Sequence, residues 1–348
     1  MKKNKLLIVD DSLLIRKFIN DIFSNLEDFE IIGEAANPYE ARDIMRKEWP
    51  DVITLDIEMP KMNGIDFLKK IMKSRPTPVV MLSTLTKAGA PITLKALEIG
   101  AVDYIQKPTI TTKTNLKKVE NEIIEKVRNA ANSNIRRRGI SLKNTGILNI
   151  SKDNKKIANK LILIGSSTGG VQALTAIVKR LPKEIPPIAI VQHIPPTFVE
   201  SLAEQLTKKG VLHVKVAENN EYMKVGAIYI APGMKHLEVI KKPDGYYTKI
   251  YKDKPYKFHL PAVNKLFLSG AKIGGKNILG IILTGMGEDG AEGMVEMKKN
   301  GCRTIGQDKE SSIVYGMPKK AYDYGAVEMQ VPLSKIPEKI VEFSEDNL

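Results

Sequence analysis

The sequence has little cysteine and no long hydrophobic run. Cys302 is the single cysteine in 348 residues, which excludes an intramolecular disulfide and favours a cytoplasmic location. No apolar stretch approaches the roughly 20 residues of a membrane-spanning helix, so we expect no membrane insertion. The first residues are basic and then apolar, but two aspartates follow the short apolar stretch of residues 6–9, which is too short for a signal peptide.

Aromatic residues are also scarce, at 6% of the chain, whereas positive charge is abundant. The formal net charge is +14, and much of the positive charge lies between residues 113 and 160, where Arg136, Arg137 and Arg138 are consecutive. Base stacking requires aromatic side chains among the basic ones, and this region shows little such interleaving. We therefore interpret it as a basic linker or a Lys-rich surface and expect no nucleic-acid partner.

Short apolar runs alternate with amphipathic segments over residues 1–108 and again after residue 160. This alternation is typical of parallel sheets with crossover helices, so we predict an α/β fold with two doubly wound open sheets. The first sheet is expected to be flavodoxin-like, and the second to be mainly parallel with one antiparallel hairpin around Pro243-Asp244-Gly245. Between the two sheets, the alternation of apolar runs and amphipathic segments is lost. We therefore predict domains at residues 1–129 and 160–348, joined by a flexible basic linker at residues 130–159.

Five polar residues follow the predicted strands of the first sheet. They are Asp10 and Asp11 after the first strand, Asp56 after the third, Ser83 after the fourth and Lys107 after the fifth. The carboxyl ends of parallel strands form the ligand-binding edge of such a sheet, so these side chains should converge. Each residue alone would more readily be explained as a helix cap, but the five positions together favour a site. Neighbouring carboxylates repel one another unless a hard cation lies among them, and Mg²⁺ suits such oxygen ligands.

With this arrangement, and with the motif DIEMPKMNG that begins at Asp56, residues 1–129 resemble a response-regulator receiver domain. The resemblance implies that Asp56 accepts a phosphoryl group. It implies contacts from Ser83 and Lys107 to the phosphoryl oxygens, and a change of position for the aromatic ring of Tyr104. It also implies that Mg²⁺ is held by three carboxylates, those of Asp10, Asp11 and Asp56.

The second predicted sheet begins with an apolar run that ends in the turn Gly165-Ser166-Ser167-Thr168-Gly169-Gly170. Apolar residues at helical spacing follow the turn, until Pro182. The turn contains the G-x-S-x-G pattern, in which a serine is held at the carboxyl edge of a sheet beside helix N–H groups. We therefore predict that Ser167 is a nucleophile. The same turn could instead bind phosphate, although it lacks the Lys-Ser/Thr ending of a P-loop and the glycine spacing of a dinucleotide fingerprint.

A serine nucleophile requires a base, and that base requires an orienting group. The chain has four histidines: His193, His213, His236 and His259. Only His193 ends a predicted strand, whereas the others fall inside a strand pattern or in loop and hairpin regions. Asp289 follows another strand within the glycine-rich residues 284–290, where it could orient the base or merely cap the next helix. The backbone N–H groups around Met286 suit an oxyanion hole.

The order serine, histidine, aspartate differs from the order found in the α/β-hydrolases. It occurs here with four motifs: GSSTGG from Gly165, QHIPP from Gln192, APG from Ala231 and TGMGEDG from Thr284. In these features the chain resembles the CheB family of chemotaxis protein-glutamate methylesterases. The resemblance implies a nucleophile, a base, an orienting carboxylate and an oxyanion-binding N–H, which are Ser167, His193, Asp289 and Met286 respectively. Asn264 departs from the family pattern, because an aspartate is expected there.

The resemblance also implies a function. The expected reaction is hydrolysis of glutamate methyl esters on chemoreceptors with release of methanol, together with deamidation of receptor glutamines by the same serine. A chemotaxis histidine kinase is the expected phosphodonor, and no cofactor is expected for the esterase step. The unmodified receiver is expected to restrain the esterase until Asp56 is phosphorylated. The rival interpretation, a two-component DNA-binding regulator, requires a helix-turn-helix module, and no such pattern is found after residue 160.

Overall fold

The computed structural model describes residues 3–84, 86–107, 116–137, 146–150 and 157–348. The chain divides into two compact units, Met1–Gly139 and Ile140–Leu348. Within the described ranges, no helix combines the length and the apolar character that crossing a bilayer requires.

In the described residues, the first unit contains a five-stranded parallel sheet with helices packed against it. Its strands are β1 (Asn4–Val9), β2 (Phe29–Ala35), β3 (Val52–Asp56), β4 (Val79–Ser83) and β5 (Asp103–Gln106). Its helices are α1 (Leu13–Ser24), α2 (Pro38–Lys47), α3 (Gly64–Ser74), α4 (Ala90–Ile99) and α5 (Leu116–Ala131). The strand order β2-β1-β3-β4-β5 is that of flavodoxin-like sheets, so the fold predicted for this unit is confirmed.

The loop after β3 packs closely behind Asp56. Gly64 begins α3, and its N–H donates to the carbonyl oxygen of Ile57 at 2.9 Å. A Cβ atom on Gly64 would lie 1.9 Å from the carbonyl oxygen of Asp56, a separation that no side chain can adopt. Glycine at position 64 therefore lets the start of α3 approach the end of β3, which fixes the backbone that carries Asp56.

In the described residues, the second unit contains a seven-stranded, wholly parallel sheet and a separate two-stranded antiparallel hairpin. The sheet strands are β6 (Leu161–Ser166), β7 (Ile188–Gln192), β8 (His213–Val216), β9 (Ala227–Ile230), β12 (Ile278–Ile282), β13 (Arg303–Gln307) and β14 (Met329–Val331). The hairpin strands are β10 (His236–Lys242) and β11 (Gly245–Tyr251). The helices are α6 (Gly170–Val178), α7 (Val199–Lys209), α8 (Val263–Ile273), α9 (Ala291–Lys299), α10 (Met317–Asp323) and α11 (Ile336–Ser344).

The strand order in the second unit is β14-β13-β12-β6-β7-β9-β8. The chain winds outward in both directions from β6, so the carboxyl end of β6 is a topological switch point, where sheets of this kind bind ligands. All residues of β6 and β7 are buried, which explains their uninterrupted apolar sequences. The predicted α/β fold and hairpin are confirmed.

The segment between the two sheets is only partly described. Helix α5 extends to Ala131, a single 3₁₀ turn covers Asn134–Arg137, and the N–H of Leu148 donates to the carbonyl oxygen of Arg180 at 2.9 Å. Residues 138–145 and 151–156 lie outside the described residues. A flexible linker at residues 130–159, and with it the proposed domain boundaries, stays a prediction.

Candidate active site

Ser167 lies in the turn between β6 and α6. Its N–H donates to the carbonyl oxygen of Thr284, in the turn after β12, at 3.1 Å. The preceding residue, Ser166, is fully buried, and its hydroxyl donates to Oε1 of Gln192 at 2.6 Å. Ser167 is partly exposed. Of these two adjacent serines, only Ser167 is therefore placed to meet a substrate.

Two glycines allow the serine turn to pack closely against its neighbours. A Cβ atom on Gly170 would lie 2.0 Å from Oε1 of Gln192. A Cβ atom on Gly285 would lie 2.3 Å from Sδ of Met317 and 2.8 Å from Cβ of Ser167. These separations are shorter than carbon atoms tolerate, so the carboxyl ends of β6, β7 and β12 meet only because both residues lack a side chain.

Gln192 joins the serine turn to the predicted base. Its Nε2 donates to the carbonyl oxygens of Ser167 at 2.9 Å and of His193 at 3.0 Å, while its Oε1 accepts from Ser166. The side chain is almost completely buried. No role was predicted for Gln192, although an amide at the last position of an otherwise apolar buried strand was a signal that could have indicated one.

We expect Gln192→Ala to destabilise the second unit and to lower the rate of ester hydrolysis. The change leaves the hydroxyl of Ser166 and two carbonyl groups without their partners, which corresponds to about 2–4 kcal/mol of unfolding free energy. Urea unfolding and ester hydrolysis measure the two effects. The control is Gln330→Ala, which removes an exposed glutamine on β14. If Gln192→Ala and Gln330→Ala both have the same urea midpoint as the wild type, Gln192 does not stabilise the junction between the serine turn and His193.

His193 and Asp289 form a hydrogen-bonded pair at the same edge of the sheet. Nε2 of His193 lies 2.9 Å from Oδ2 of Asp289, and the N–H of His193 donates to the carbonyl oxygen of Ser166 at 3.0 Å. Because an ionised carboxylate only accepts, Nε2 carries the proton and Nδ1 holds the free lone pair. Among the described residues there is no hydrogen bond between the Ser167 hydroxyl and the His193 ring. Contacts of this kind often form only when substrate binds, so the Ser167–His193 step stays a prediction.

The carboxylate of Asp289 also accepts two hydrogen bonds from the start of α8. The N–H of Val263 donates to Oδ2 at 2.7 Å, and the N–H of Asn264 donates to Oδ1 at 2.9 Å. Burial alone would raise the pKa of Asp289, but the bond from His193 and these two N–H groups outweigh it, so that the pKa lies below its ordinary value of 3.8. Asp289 is thus ionised at neutral pH. It does not cap the helix that follows it, because Gly290 occupies the N-cap position of α9.

Asn264, the departure from the family pattern, lies beside this carboxylate. Its side chain is buried, and its Oδ1 accepts from the N–H of Gly293 at 2.8 Å. The amide therefore links α8 to α9, and its side chain makes this bond rather than one to His193 or Asp289. An aspartate oxygen could accept the same bond, so the departure preserves this contact between the helices, and the His193–Asp289 pair is formed without the Asn264 side chain.

The turn after β12 is hydrogen-bonded both to the serine turn and to the start of α10. Oγ1 of Thr284 donates to the carbonyl oxygen of Thr168 at 3.0 Å, and the carbonyl oxygen of Gly285 accepts from the N–H of Met317 at 2.9 Å. Met286 follows Gly285 directly and is partly exposed. Its N–H is thereby placed in the turn that contacts Ser167, and its role in holding an oxyanion stays a prediction.

The other three histidines have different surroundings. His236 is fully buried, with Nδ1 accepting from the N–H of Ala262 and Nε2 bonded to the carbonyl oxygen of Lys254, so its role is structural. His213 is exposed at the start of β8, at the opposite edge of the sheet. His259 was not predicted to belong to the site, yet its ring stacks on that of His193 with centroids 4.3 Å apart and planes 3° from parallel.

His193, His259 and Asp289 offer ligand atoms within 4.8 Å of one another. A metal ion bound to a histidine lies near the plane of the imidazole ring, and two stacked, parallel planes do not meet at one ion. This cluster is therefore poorly shaped for a metal.

The carboxylates predicted in the first unit do converge. The oxygens of Asp10, Asp11 and Asp56 lie within 4.8 Å of one another, and Nζ of Lys107 lies 2.9 Å from Oδ2 of Asp10 and 2.8 Å from Oδ2 of Asp56. Burial raises the pKa of Asp56 to about 6, with a further contribution from Asp10 and opposition from Lys107. Lys107 pairs with two of these three carboxylates, Asp10 and Asp56, and the three-carboxylate donor set suits a hard divalent cation.

The two remaining receiver residues lie in neighbouring strands of the same sheet: Ser83 ends β4, and Tyr104 lies in β5. The Ser83 hydroxyl is 2.8 Å from that of Thr93 in α4, and the carbonyl oxygen of Ser83 accepts from the N–H of Lys107 at 2.8 Å. The ring of Tyr104 is buried, with Nζ of Lys126 4.8 Å from its centroid, and burial raises the pKa of Tyr104 well above its ordinary value. The roles of Ser83 and Tyr104 stay predictions.

Comparison with known families agrees with this division of the chain. Residues 162–340 match the family model for CheB methylesterase, and residues 6–119 match that for the response regulator receiver domain. The chain belongs to the CheB methylesterase family. The matched regions include Ser167, His193 and Asp289 in one unit and Asp56 in the other.

Relatives of similar length agree with this placement. Proteins named protein-glutamate methylesterase/protein-glutamine glutaminase are 43% identical over 98% of this chain and 96% of the relative in Nitrosomonas europaea, and 42% identical over 98% and 97% in Salmonella typhimurium. The solved catalytic domain of a Thermotoga maritima CheB methylesterase is 40% identical and covers 53% of this chain and 99% of its own, with a TM-score of 0.52. The chain therefore shares both its family and its two-part organisation with these relatives.

Proposed function

We propose that this protein hydrolyses glutamate methyl esters on chemoreceptors, with release of methanol, and that Ser167, His193 and Asp289 carry out the reaction. The observation that supports this most directly is the hydrogen-bonded His193–Asp289 pair at the same sheet edge as the partly exposed Ser167. The names of the full-length relatives supply the substrate class.

In the proposed mechanism, Oγ of Ser167 attacks the ester carbonyl carbon while Nδ1 of His193 takes the hydroxyl proton. The ionised Asp289 stabilises the imidazolium that forms, and the N–H of Met286 holds the developing oxyanion. His193 then gives the proton to the departing methoxide, which leaves as methanol. Water, deprotonated by His193, attacks the acyl-enzyme, releases the glutamate carboxylate and restores Ser167. The steps use only groups of this chain and water, and so require no cofactor.

The same residues would also deamidate receptor glutamines. The serine attacks the amide carbonyl, His193 protonates the leaving nitrogen, and ammonia departs in place of methanol. Because an unprotonated amide nitrogen is a poorer leaving group than methoxide, this reaction depends more strongly on protonation by His193.

The function is tested on receptor membranes that carry radioactive methyl esters. The purified full chain is expected to release labelled methanol, and a receptor whose modified glutamates are replaced by alanine serves as the substrate control. Absence of methanol release from the methylated receptor, with or without a phosphodonor, would contradict the proposed function.

In the first unit, we propose that Asp56 accepts a phosphoryl group from a chemotaxis histidine kinase in the cytoplasm. Asp10, Asp11 and Asp56 are the residues that would hold Mg²⁺, which when bound neutralises negative charge on the phosphoryl oxygens. Lys107 already contacts Asp56 and Asp10, and would pair with a phosphoryl oxygen once the aspartyl phosphate forms. The modified state then favours the active population of the esterase.

Asp56→Asn is expected to abolish the rise in esterase rate that follows addition of an acyl phosphate and Mg²⁺, because the amide cannot accept the phosphoryl group. The ratio of rates with and without the phosphodonor is the measurement. Asp43→Asn is the matched control, since Asp43 is an exposed carboxylate on α2 in the same unit. A ratio for Asp56→Asn equal to that of the control would contradict the assignment.

A further inference from the structure

We propose that His259 is a positioning residue for the reaction, whose stacked ring holds the imidazole of His193 in the plane required for proton transfer. The proposal rests on the proposed role of His193 as the base. It concerns a residue that lies in the loop between β11 and α8.

The position of the His259 ring is well defined. The rings of His259 and His193 lie 4.3 Å apart between centroids, with planes 3° from parallel, so that the His259 ring packs flat against one face of the His193 imidazole. The backbone of His259 is held by two reciprocal hydrogen bonds with Tyr256, each 3.0 Å long. These bonds close a tight turn that holds the ring in place.

The turn is itself anchored to helices α8 and α9. The hydroxyl of Tyr256 donates to Oε2 of Glu292 at 3.1 Å, and Nζ of Lys257 lies 2.9 Å from the same atom. Nζ of Lys265 lies 5.1 Å from the centroid of the Tyr256 ring. Helices α8 and α9 therefore both hold the loop, which connects the ring of His259 to the same two helices that surround Asp289.

The need for such a residue follows from the contacts of His193. A single hydrogen bond at Nε2 fixes one ring atom but leaves the plane free to tilt about that bond and to turn away from Ser167. A flat ring packed parallel to the imidazole opposes that motion, since tilting would bring the two rings into collision. Positioning errors of about 1 Å can cost roughly 100-fold in rate, so restraint of this plane has a measurable effect.

His259 is also suited to remain uncharged beside the base. Burial lowers the pKa of His259, and the neighbouring His193 lowers it further, against the opposing effect of Asp289. A neutral ring then faces His193 when the latter becomes an imidazolium during the reaction, and aromatic faces attract such cations. The stack is therefore compatible with both charge states of His193.

The experiment compares three substitutions at position 259 in the full chain. Alanine removes the ring, leucine retains bulk without a flat face, and phenylalanine retains the flat face without nitrogen atoms. We expect His259→Ala and His259→Leu to lower kcat by about 10- to 100-fold with little change in KM. His259→Phe is expected to restore most of kcat. His213→Ala, which removes an exposed histidine at the opposite sheet edge, is the control and should match the wild type.

Proton NMR supplies a second readout. The Nε2 proton shared between His193 and Asp289 is expected to give a low-field signal that persists in His259→Phe and broadens or disappears in His259→Leu and His259→Ala. If His259→Ala does not fold, the comparison of His259→Leu with His259→Phe still tests whether a flat ring is needed. The inference would be overturned if His259→Phe and His259→Leu had equal kcat, or if His259→Ala retained the wild-type kcat. Ser167→Ala, assayed on the same substrate, separates failure of the His259 proposal from failure of the proposed function. Full activity of Ser167→Ala would contradict the proposed function.

Discussion

Ser167→Ala is expected to abolish methanol release from methylated receptor membranes, with a fall in kcat of about 10⁴- to 10⁶-fold. The substitution removes the partly exposed hydroxyl that follows β6, at the sheet edge where the His193–Asp289 pair also lies. What remains is the water reaction, assisted only by binding and by the oxyanion contacts. The measurement is the rate of labelled methanol release at saturating receptor, for the wild type and the variant.

Ser166→Ala is the closest control that the chain offers. Its hydroxyl is buried and bonded to Gln192, so its loss should cost about 1–3 kcal/mol of stability without removing the nucleophile. A fluorophosphonate probe should label the wild type and Ser166→Ala but leave Ser167→Ala unlabelled. The probe also separates a nucleophilic turn from a phosphate-binding one, which would not react. Methanol release from Ser167→Ala at the wild-type rate would refute the nucleophile assignment.

Much of the fold was predictable because its strands are buried on both faces. β6 and β7 appear in the sequence as short uninterrupted apolar runs, and each ends at a polar or glycine-rich turn. Since parallel strands place their carboxyl ends on one edge, Ser167, His193 and Asp289 could be assigned to that edge before the strand order was known. The same reasoning placed Asp10, Asp56 and Lys107 together.

The ends of the second unit were predicted less completely. The strand Met329–Val331 has only three residues and lies at the edge of the sheet, so its sequence carries little periodic signal. The helix Ile336–Ser344 carries a clearer signal, because Ile336, Ile340 and Val341 are buried at helical spacing.

The supporting contacts of the site could not be predicted, because they join residues that are distant in the chain. The two N–H groups that hold Asp289 come from residues 263 and 264, and their donation depends on how α8 packs beside β12. His259 reaches His193 from a loop whose sequence has no periodic pattern. Such contacts follow from tertiary packing, whereas sequence patterns report local structure.

The surroundings of Asp289 lead to the second large effect. Asp289→Asn is expected to lower kcat by about 10⁴-fold while the chain remains folded. The amide has one oxygen, whereas Oδ1 of Asp289 accepts from Asn264 and Oδ2 is bonded to both Val263 and His193. With the amide oxygen in the place of Oδ1, the bond from Asn264 is kept and the amide nitrogen faces Nε2 of His193 as a donor. His193 is then driven to the tautomer with its proton on Nδ1, and Nδ1 can no longer accept the proton of Ser167.

Asp289→Ala distinguishes the role of Asp289 in orienting His193 from its contribution to the stability of the fold. It removes the acceptor for Val263 and Asn264 as well as for His193, so it should lower the free energy of unfolding by about 2–4 kcal/mol in addition to abolishing activity. Urea unfolding and methanol release, measured on the same preparations, separate the two losses. If Asp289→Asn retained the wild-type kcat, His193 would not depend on this carboxylate.

The lowered pKa of Asp289 sets the pH range in which its charge stabilises the fold. A carboxyl group whose pKa is lower in the folded than in the unfolded state contributes its stabilisation fully above the unfolded value, here the ordinary 3.8. The contribution is lost as the pH falls through the lower, folded value. The difference in unfolding free energy between the wild type and Asp289→Asn should therefore be constant from neutral pH to about pH 5 and shrink below the ordinary value. A difference that grew on acidification would show that this carboxylate is protonated in the folded state, and it would then be unable to stabilise an imidazolium on His193.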